Sequence, residues 1–331
     1  MTNLTEKDGD SIIKLDDFSV DKALIDRLDL CIGSHSVKPL WIKGRNIKLD
    51  ILRLDKLHPT ISGNKWFKLR PYLQASQLAN INTVMSFGGI WSNHIHALAA
   101  AGQVLNINTI GVIRGEEKCS TAMLQDAQAW GMKIYYVSRR DYRKRNDQEY
   151  KDALVRLLGY KIDQVTIVPE GGGGELGVKG SEGILSAGNI DPCEYDEIWL
   201  GCGTGSTLAG VVRSIRNAEA AVVRGVAILK EADFLRDDIT HLLQKAQARW
   251  TLDTDSHCGG YGRTSLELLS FIEEFEQDTG VPLDQVYTGK VMLALKNRIS
   301  REDLVSGCRI LMIHTGGLQG KRGLVVNGGR G

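Results

Sequence analysis

Glycines, hydroxyls and a lysine gather in a few short segments of this chain, at spacings suited to anion binding and amine chemistry. From Glu197 an apolar run leads into Gly201-Cys202-Gly203-Thr204-Gly205-Ser206-Thr207, and a helical pattern follows to Gly210. Such a loop leaves N–H groups unpaired at a helix start, where the helix dipole also favours an anion. Gly203, Thr204, Gly205, Ser206 and Thr207 could cradle one phosphate; a plain tight turn is the alternative. No Gly-Lys-Ser/Thr follows, so this is not a Walker A loop, and the G-x-G-x-G spacing is not the dinucleotide fingerprint. Glycine and hydroxyl concentrated together after a strand favour the phosphate.

In a second segment, Lys65 follows the turn Ser62-Gly63-Asn64 and opens a helical pattern. The positive end of a helix dipole lowers the pKa of an amine placed there and helps it act as a nucleophile. A solvated surface lysine is the blander reading, and on this segment alone it wins, because Lys68 and Arg70 lie close by. A third segment, Ser86-Phe87-Gly88-Gly89-Ile90-Trp91-Ser92-Asn93-His94, again reads as strand, glycine turn and helix start. Ser92 is well placed as an N-cap. His94 and His96 are two apart and share no helix face, which argues against a metal pair and for core or surface histidines. Tyr261 and Tyr287 each stand beside glycine; a packed ring with a bonded hydroxyl is the default for such a residue. His314-Thr315-Gly316-Gly317 ends a strand-like run, and in open parallel sheets those strand ends line the ligand crevice.

The elements that must position these groups alternate. Residues 83–87, 108–113, 133–137 and 164–168 read as strands, separated by helical patterns at 92–102, 120–130 and 141–158. Beyond the glycines at 171–174 the rhythm resumes. Strands are expected at 197–200, 222–229 and 309–314, and helices at 206–216, 234–249, 263–277 and 290–297. This is the pattern of an α/β fold with two open, mostly parallel sheets and helices on both faces. Pro71 should kink or restart the helical run 65–79. The tail from Gly316 is too glycine-rich for a regular helix.

Composition narrows the classes. Across 331 residues, 41 Lys+Arg balance 40 Asp+Glu, which speaks against a nucleic-acid footprint. Charged residues at 24% and hydrophobic residues at 42% are ordinary globular proportions. No apolar run approaches the roughly 18 residues of a membrane helix. The charged first thirty residues lack a signal-peptide core. The six cysteines (Cys31, Cys119, Cys193, Cys202, Cys258, Cys308) form no C-x-x-C pair. A reducing cytoplasm is the expected compartment.

Taken in order, the segments resemble pyridoxal-phosphate enzymes of fold type II, and more narrowly the 1-aminocyclopropane-1-carboxylate deaminase and D-cysteine desulfhydrase family. The resemblance runs from about Pro39 to Gly317. It rests on residues 62–65, 88–94, 169–172, 203–207, 260–262, 286–290 and 314–317 as an ordered set. It implies pyridoxal 5'-phosphate as cofactor, with Lys65 as the lysine bonded to it. Asn93 would meet the cofactor's 3-oxygen, and Ser92 would lie near the substrate carboxylate and α-carbon. Gly203 to Thr207 would form the phosphate cup, and Tyr261 and Tyr287 would be the pocket tyrosines. Thr288 stands where the family places the partner of the pyridine nitrogen, with Thr315 nearby. A large cofactor domain (1–67 and 178–331), a small inserted α/β domain (68–177), a small amino-acid substrate and a homodimer are also implied.

The ring-opening deaminases resemble this pattern with glutamate at the place of Thr288. A carboxylate keeps the pyridine nitrogen protonated and the electron sink deep. A neutral hydroxyl supports that proton less, and hydrosulfide, a good leaving group, needs less help. Threonine therefore favours α,β-elimination from D-cysteine to pyruvate, hydrogen sulfide and ammonia. Ring opening to 2-oxobutanoate is the alternative, then a β-replacing synthase; a catalytically inactive cofactor or amino-acid binding protein is the reading from another class. Trp91 stands where these relatives usually carry glutamine, and Tyr261-Gly262-Arg263-Thr264 replaces a more usual Y-G-x-P run.

Overall fold

The structure is a computed structural model, and it describes residues 32–115, 120–301, 304 and 306–323. The charged N-terminal stretch, Cys31, Cys119 and the tail beyond Gly323 lie outside the described residues. The chain opens with β1 (Ser34–Val37), β2 (Lys48–Arg53) and α1 (Asn64–Leu78). It continues through β3 (Thr83–Gly89), α2 (Asn93–Leu105), β4 (Asn108–Arg114), α3 (Ala122–Ala129), β5 (Lys133–Val137), α4 (Arg139–Tyr142), α5 (Gln148–Leu157) and β6 (Thr166–Val168). Next come α6 (Gly174–Ser181), α7 (Ile184–Ala187), β7 (Glu197–Cys202), α8 (Ser206–Ser214), β8 (Val222–Ala227), α9 (Phe234–Leu243) and β9 (Trp250–Asp253). The last elements are α10 (Leu266–Thr279), α11 (Thr288–Ser300) and β10 (Arg309–His314).

Two sheets result, as the βα rhythm requires. One runs β5-β4-β3-β6 and is parallel throughout; the other runs β1-β2-β10-β7-β8-β9, with only the β1–β2 pair antiparallel. Every residue of β7 is buried, as expected of a central strand covered on both faces. One apolar core joins both sheets through Leu52, Trp66, Val84, Ile95 and Leu208. Separate clusters cover the outer face of each sheet. The strand ends at Gly89, Cys202 and His314 feed the loops that carry the candidate site.

Several local expectations are corrected. Of the two expectations for Pro71 the restart is not met, since α1 runs through it. Proline cannot donate to the carbonyl four residues back. That carbonyl, on Phe67, faces Gly180, where an added Cβ would lie 1.9 Å from the oxygen. A bare Cα thus packs against the carbonyl that Pro71 leaves without its helical donor. The expected helix 141–158 is two helices, because Asp147 caps a new start by accepting from Tyr150 N. The expected helix 234–249 stops at Leu243, where Gln244 adopts φ +54, and strand β9 follows. Beyond Gly317 the chain forms a short 3-10 stretch, Leu318–Gly323. No helix among the described residues is long and apolar enough to cross a membrane.

Candidate active site

The turn before α1 is held by backbone. Gly63 takes φ +74, and a Cβ there would fall 2.0 Å from the carbonyl oxygen of Thr315. Asn64 N donates to that oxygen at 3.2 Å, and Asn64 Nδ2 donates to Thr207 Oγ1 at 2.8 Å. Three remote segments thus meet at one point: the start of α1, the end of β10 and the start of α8. Lys65 leaves this junction half-buried. Its Nζ donates to Asn64 Oδ1 at 3.2 Å and lies 5.9 Å from the centre of the Tyr287 ring. Burial lowers its pKa to about 8, opposed by the Asp284 carboxylate. The solvated surface lysine is therefore not what folds, and desolvation is the leading cause of the shift.

The glycine loop turns through Gly205 (φ +72) into α8, with Thr204 Oγ1 and Ser206 Oγ 3.3 Å apart. Into it reaches Lys68, 2% exposed, whose Nζ donates to Thr204 Oγ1 at 3.2 Å. Burial and the nearby Lys65 charge push the Lys68 amine well below its ordinary range, and Cys202 acts in the opposite sense. No carboxylate is among the groups that act on it. Lys68 was set aside in the sequence as a surface neighbour. Its spacing of three from Lys65 on one helix was the signal that both amines share a face.

At the start of α2, Ser92 caps the helix by accepting from Ile95 N at 3.3 Å. Asn93 Oδ1 is buried with no partner among the described residues, and Asn93 Nδ2 lies 3.1 Å from where a Gly317 Cβ would sit. His94 and His96 are both core residues. Ser86 Oγ donates to Val168 O at 2.8 Å and lies 2.7 Å from His94 Nε2. The serine hydrogen is thus spent, so His94 donates through Nε2 and keeps Nδ1 bare. Burial, with the Lys65 and Lys68 charges, drives its pKa far down, so the ring is neutral. No cluster of three or more metal-ligating side chains occurs among the described residues.

The two tyrosines stand edge to face, ring centres 6.4 Å apart. The Tyr261 and Tyr287 hydroxyls interact, and burial raises both phenols. Tyr261 is 48% exposed, at the open side. The loop carrying it is tied to α11 by Lys290, fully buried, whose Nζ donates to Gly260 O at 2.7 Å. Thr288 and Thr315 are buried, at 1% and 8% exposure. Asp284, which the sequence reading passed over, accepts from the backbone of Val286, Tyr287 and Thr288 and from the Thr288 hydroxyl. An aspartate four residues before the first helical residue was its signal.

These residues fit an anionic, carbonyl-bearing cofactor. A buried amine, Lys68, lies at a loop of hydroxyls with no acidic partner among the described residues, a second amine, Lys65, stands one helical turn away with its pKa lowered, and the Asn93 amide has hydrogen-bonding capacity left over. A phosphate would supply the missing counter-charge.

The comparisons agree with that fit. The sequence profile described as pyridoxal-phosphate dependent enzyme matches residues 45–316, and the chain belongs to this family. Within it, the chain falls in the 1-aminocyclopropane-1-carboxylate deaminase and D-cysteine desulfhydrase group. The bifunctional D-cysteine desulfhydrase/1-aminocyclopropane-1-carboxylate deaminase of Arabidopsis thaliana, a mitochondrial protein, is 30% identical over 85% of this chain and 73% of its own. The D-cysteine desulfhydrase of Yersinia pestis is 26% identical over 82% of this chain and 86% of its own. A crystal structure of an ACC deaminase homologue superposes with TM-score 0.76 at 24% identity, over 88% of this chain and 90% of that one, which establishes the fold.

Proposed function

We propose that this chain is a lyase performing α,β-elimination on a small D-amino acid, with D-cysteine going to pyruvate, hydrogen sulfide and ammonia. The observation that carries the reading is Lys65: an amine of pKa about 8, held by Asn64 Oδ1 and 5.9 Å from the centre of the Tyr287 ring. When bound, pyridoxal phosphate supplies a carbonyl for amines and a ring that withdraws the electron pair freed at the α-carbon. Lys68, Thr204, Ser206, Thr207 and the N–H groups of Gly203 and Gly205 would hold its phosphate. Asn93 would meet the ring oxygen through its amide N–H, and Thr288, with Thr315 nearby, would border the ring nitrogen.

The chain's own groups then manage protons. Lys65, close to half neutral near pH 8, takes the α-proton, with the Ser92 hydroxyl as its aid. The Ser92 oxygen is occupied by Ile95 N–H, which leaves its hydrogen free to donate toward the substrate carboxylate. The α C–H and β C–S bonds break, and the electron pair from sulfur's bond leaves with hydrosulfide. Tyr261, at the open side of the tyrosine pair, donates its hydrogen to that leaving group. The released aminoacrylate hydrolyses to pyruvate and ammonia.

Assays for sulfide and pyruvate from D-cysteine, beside L-cysteine and D-serine, test the substrate. Ring opening of 1-aminocyclopropane-1-carboxylate is the second reading, favoured by the Asp284 carboxylate against Thr288; 2-oxobutanoate as product would displace the first. Turnover of none, with cofactor bound, would leave a binding protein. We also propose the division into 1–67 with 178–331 and an inserted 68–177; the two sheets support it, and its first boundary falls inside α1. A cytoplasmic homodimer completes the proposal. The free thiols of Cys193, Cys202, Cys258 and Cys308 support a reducing compartment, and light scattering tests the dimer.

A further inference from the structure

The Thr288 hydroxyl is not free to turn. Its oxygen accepts from Asp284 N at 2.8 Å and its hydrogen goes to Asp284 Oδ1 at 2.8 Å. The carboxylate is equally committed: Oδ1 also accepts from Thr288 N at 2.8 Å, and Oδ2 accepts from Val286 N at 2.8 Å and Tyr287 N at 2.9 Å. Four donors fill the four lone-pair directions of a carboxylate. Both side chains are 1% exposed, so no water stands ready to replace a lost partner. Swinging the threonine hydrogen elsewhere would leave a buried carboxylate oxygen one donor short, which is unfavourable. A hydroxyl oxygen has two lone pairs, and one is taken by Asp284 N. Any group that meets Thr288 Oγ1 therefore meets a lone pair and must bring its own hydrogen.

We propose that Asp284 acts through Thr288 as a positioning residue that holds the cofactor's ring nitrogen in its protonated form. The inference rests on the reading above that Thr288 borders that nitrogen. A bare pyridine nitrogen and an acceptor-only hydroxyl would set two lone pairs against each other; an N–H would meet the hydroxyl as donor. One neutral oxygen thus stands between a buried carboxylate and the ring. Asp284 is close enough for its charge to act in the site, since it opposes the lowering of Lys65. Lys65 and Lys290 are the cations in its field, and Tyr261 and Tyr287 the phenols. The loop before α11 also approaches Asn93: a Cβ on Gly317 would lie 3.1 Å from Asn93 Nδ2 and 3.2 Å from Asp284 Cγ. The expectation that threonine at 288 weakens the sink is thereby revised. The carboxylate has been moved back by one hydrogen bond rather than deleted, and ring opening stays within the chain's chemistry.

Asp284 also caps α11, so the test must read more than folding. The holoprotein is reconstituted with pyridoxal phosphate labelled with nitrogen-15 in the ring, and the nitrogen chemical shift is measured. The wild-type chain is expected to show the protonated position. Asp284→Asn keeps an amide oxygen for the helix N–H groups and loses the charge; its nitrogen is expected to move to the unprotonated position. Asp284→Ser, a strong capping residue, gives the same comparison if the asparagine variant does not fold. In the charge-deleted variants kcat on 1-aminocyclopropane-1-carboxylate should fall by a larger factor than kcat on D-cysteine. An unprotonated nitrogen in the wild type, or a wild-type shift in the cofactor-loaded variants, overturns the proposal and leaves Asp284 as a cap. Failure of the underlying reading looks different: borohydride would then leave no cofactor mass on Lys65 in the wild type, and both proposals fall together.

Discussion

Lys68 Nζ lies 3.2 Å from Thr204 Oγ1, inside the glycine loop and one helical turn beyond Lys65. A desolvated amine against a hydroxyl, with no carboxylate acting on it among the described residues, is suited to an anion. Lys68→Met, which keeps the apolar stem and removes the charge, should weaken pyridoxal phosphate by about 1.5–3 kcal/mol, the range of a hydrogen bond to a charged group. Pyridoxal, which has no phosphate, should bind both forms alike. Absorbance titration with the two compounds reads the difference; equal losses for both would mean that Lys68 serves packing.

Lys65 gives a pH signature. Its amine titrates near 10.5 when unfolded and about 8 when folded. Between those values the unfolded chain holds more protons, so stability of the cofactor-free protein rises with pH across the window. The burden of the buried charge is fully present below about pH 8 and is relieved toward 10.5. Lys65→Met should therefore flatten the stability profile over that range, measured by urea unfolding. Part of the gain will come through Lys68, whose amine is pushed down by the Lys65 charge. Trapping of pyridoxal phosphate by borohydride should climb with pH to a plateau above about 8, and Asp284→Asn should lower the midpoint, because the carboxylate raises it.

Gly63 is where backbone geometry leaves no choice. It combines φ +74 and ψ −162 with a carbonyl oxygen 2.0 Å from the place of its missing Cβ. Backbone strain and overpacking each cost about 1–3 kcal/mol. Gly63→Ala should thus lose about 3 kcal/mol of unfolding free energy or more, seen as a lower denaturant midpoint. Since Asn64 N donates to the same carbonyl, the variant should also lose cofactor retention. A stable variant that retains cofactor normally would show that the β10 end can move away.

How much of this could be read from residues alone depends on whether the cause was local. The strand at 133–137 and the last strand at 309–314 fell where apolar runs put them, and Ser92 capped α2 as its position implied. The restart at Pro71 was not met, and the residue packed on the carbonyl it leaves free, Gly180, lies far along the chain. Lys68 was misjudged because nothing beside it says that a core will close over an amine, and only the fold brings Thr204 to it. The motif order identified the residues around Lys65, whereas Asp284 became visible only when its four donors were in place.

Trp91, beside Ser92, bears on substrate choice. Its indole packs on the stretch Leu318–Gly323: a Cβ on Gly323 would lie 3.0 Å from Trp91 Cζ2. That stretch is tied to both sides of the site. Arg322 pairs with Asp126 on α3 at 2.5 Å, Lys321 pairs with Glu276 on α10, and Gln285 Nε2 donates to Gly320 O at 3.0 Å. Arg322→Ala removes one half-exposed ion pair and should shift stability by only about 0–1 kcal/mol. Trp91→Gln removes a ring that is a donor only and supplies an amide that both donates and accepts. If the indole narrows the pocket next to Ser92, the glutamine variant should admit larger amino acids, raising kcat/KM for them relative to D-cysteine while Lys65 trapping stays unchanged. An unaltered substrate ratio, measured across D-cysteine, D-methionine and D-phenylalanine, would confine Trp91 to anchoring the terminal stretch.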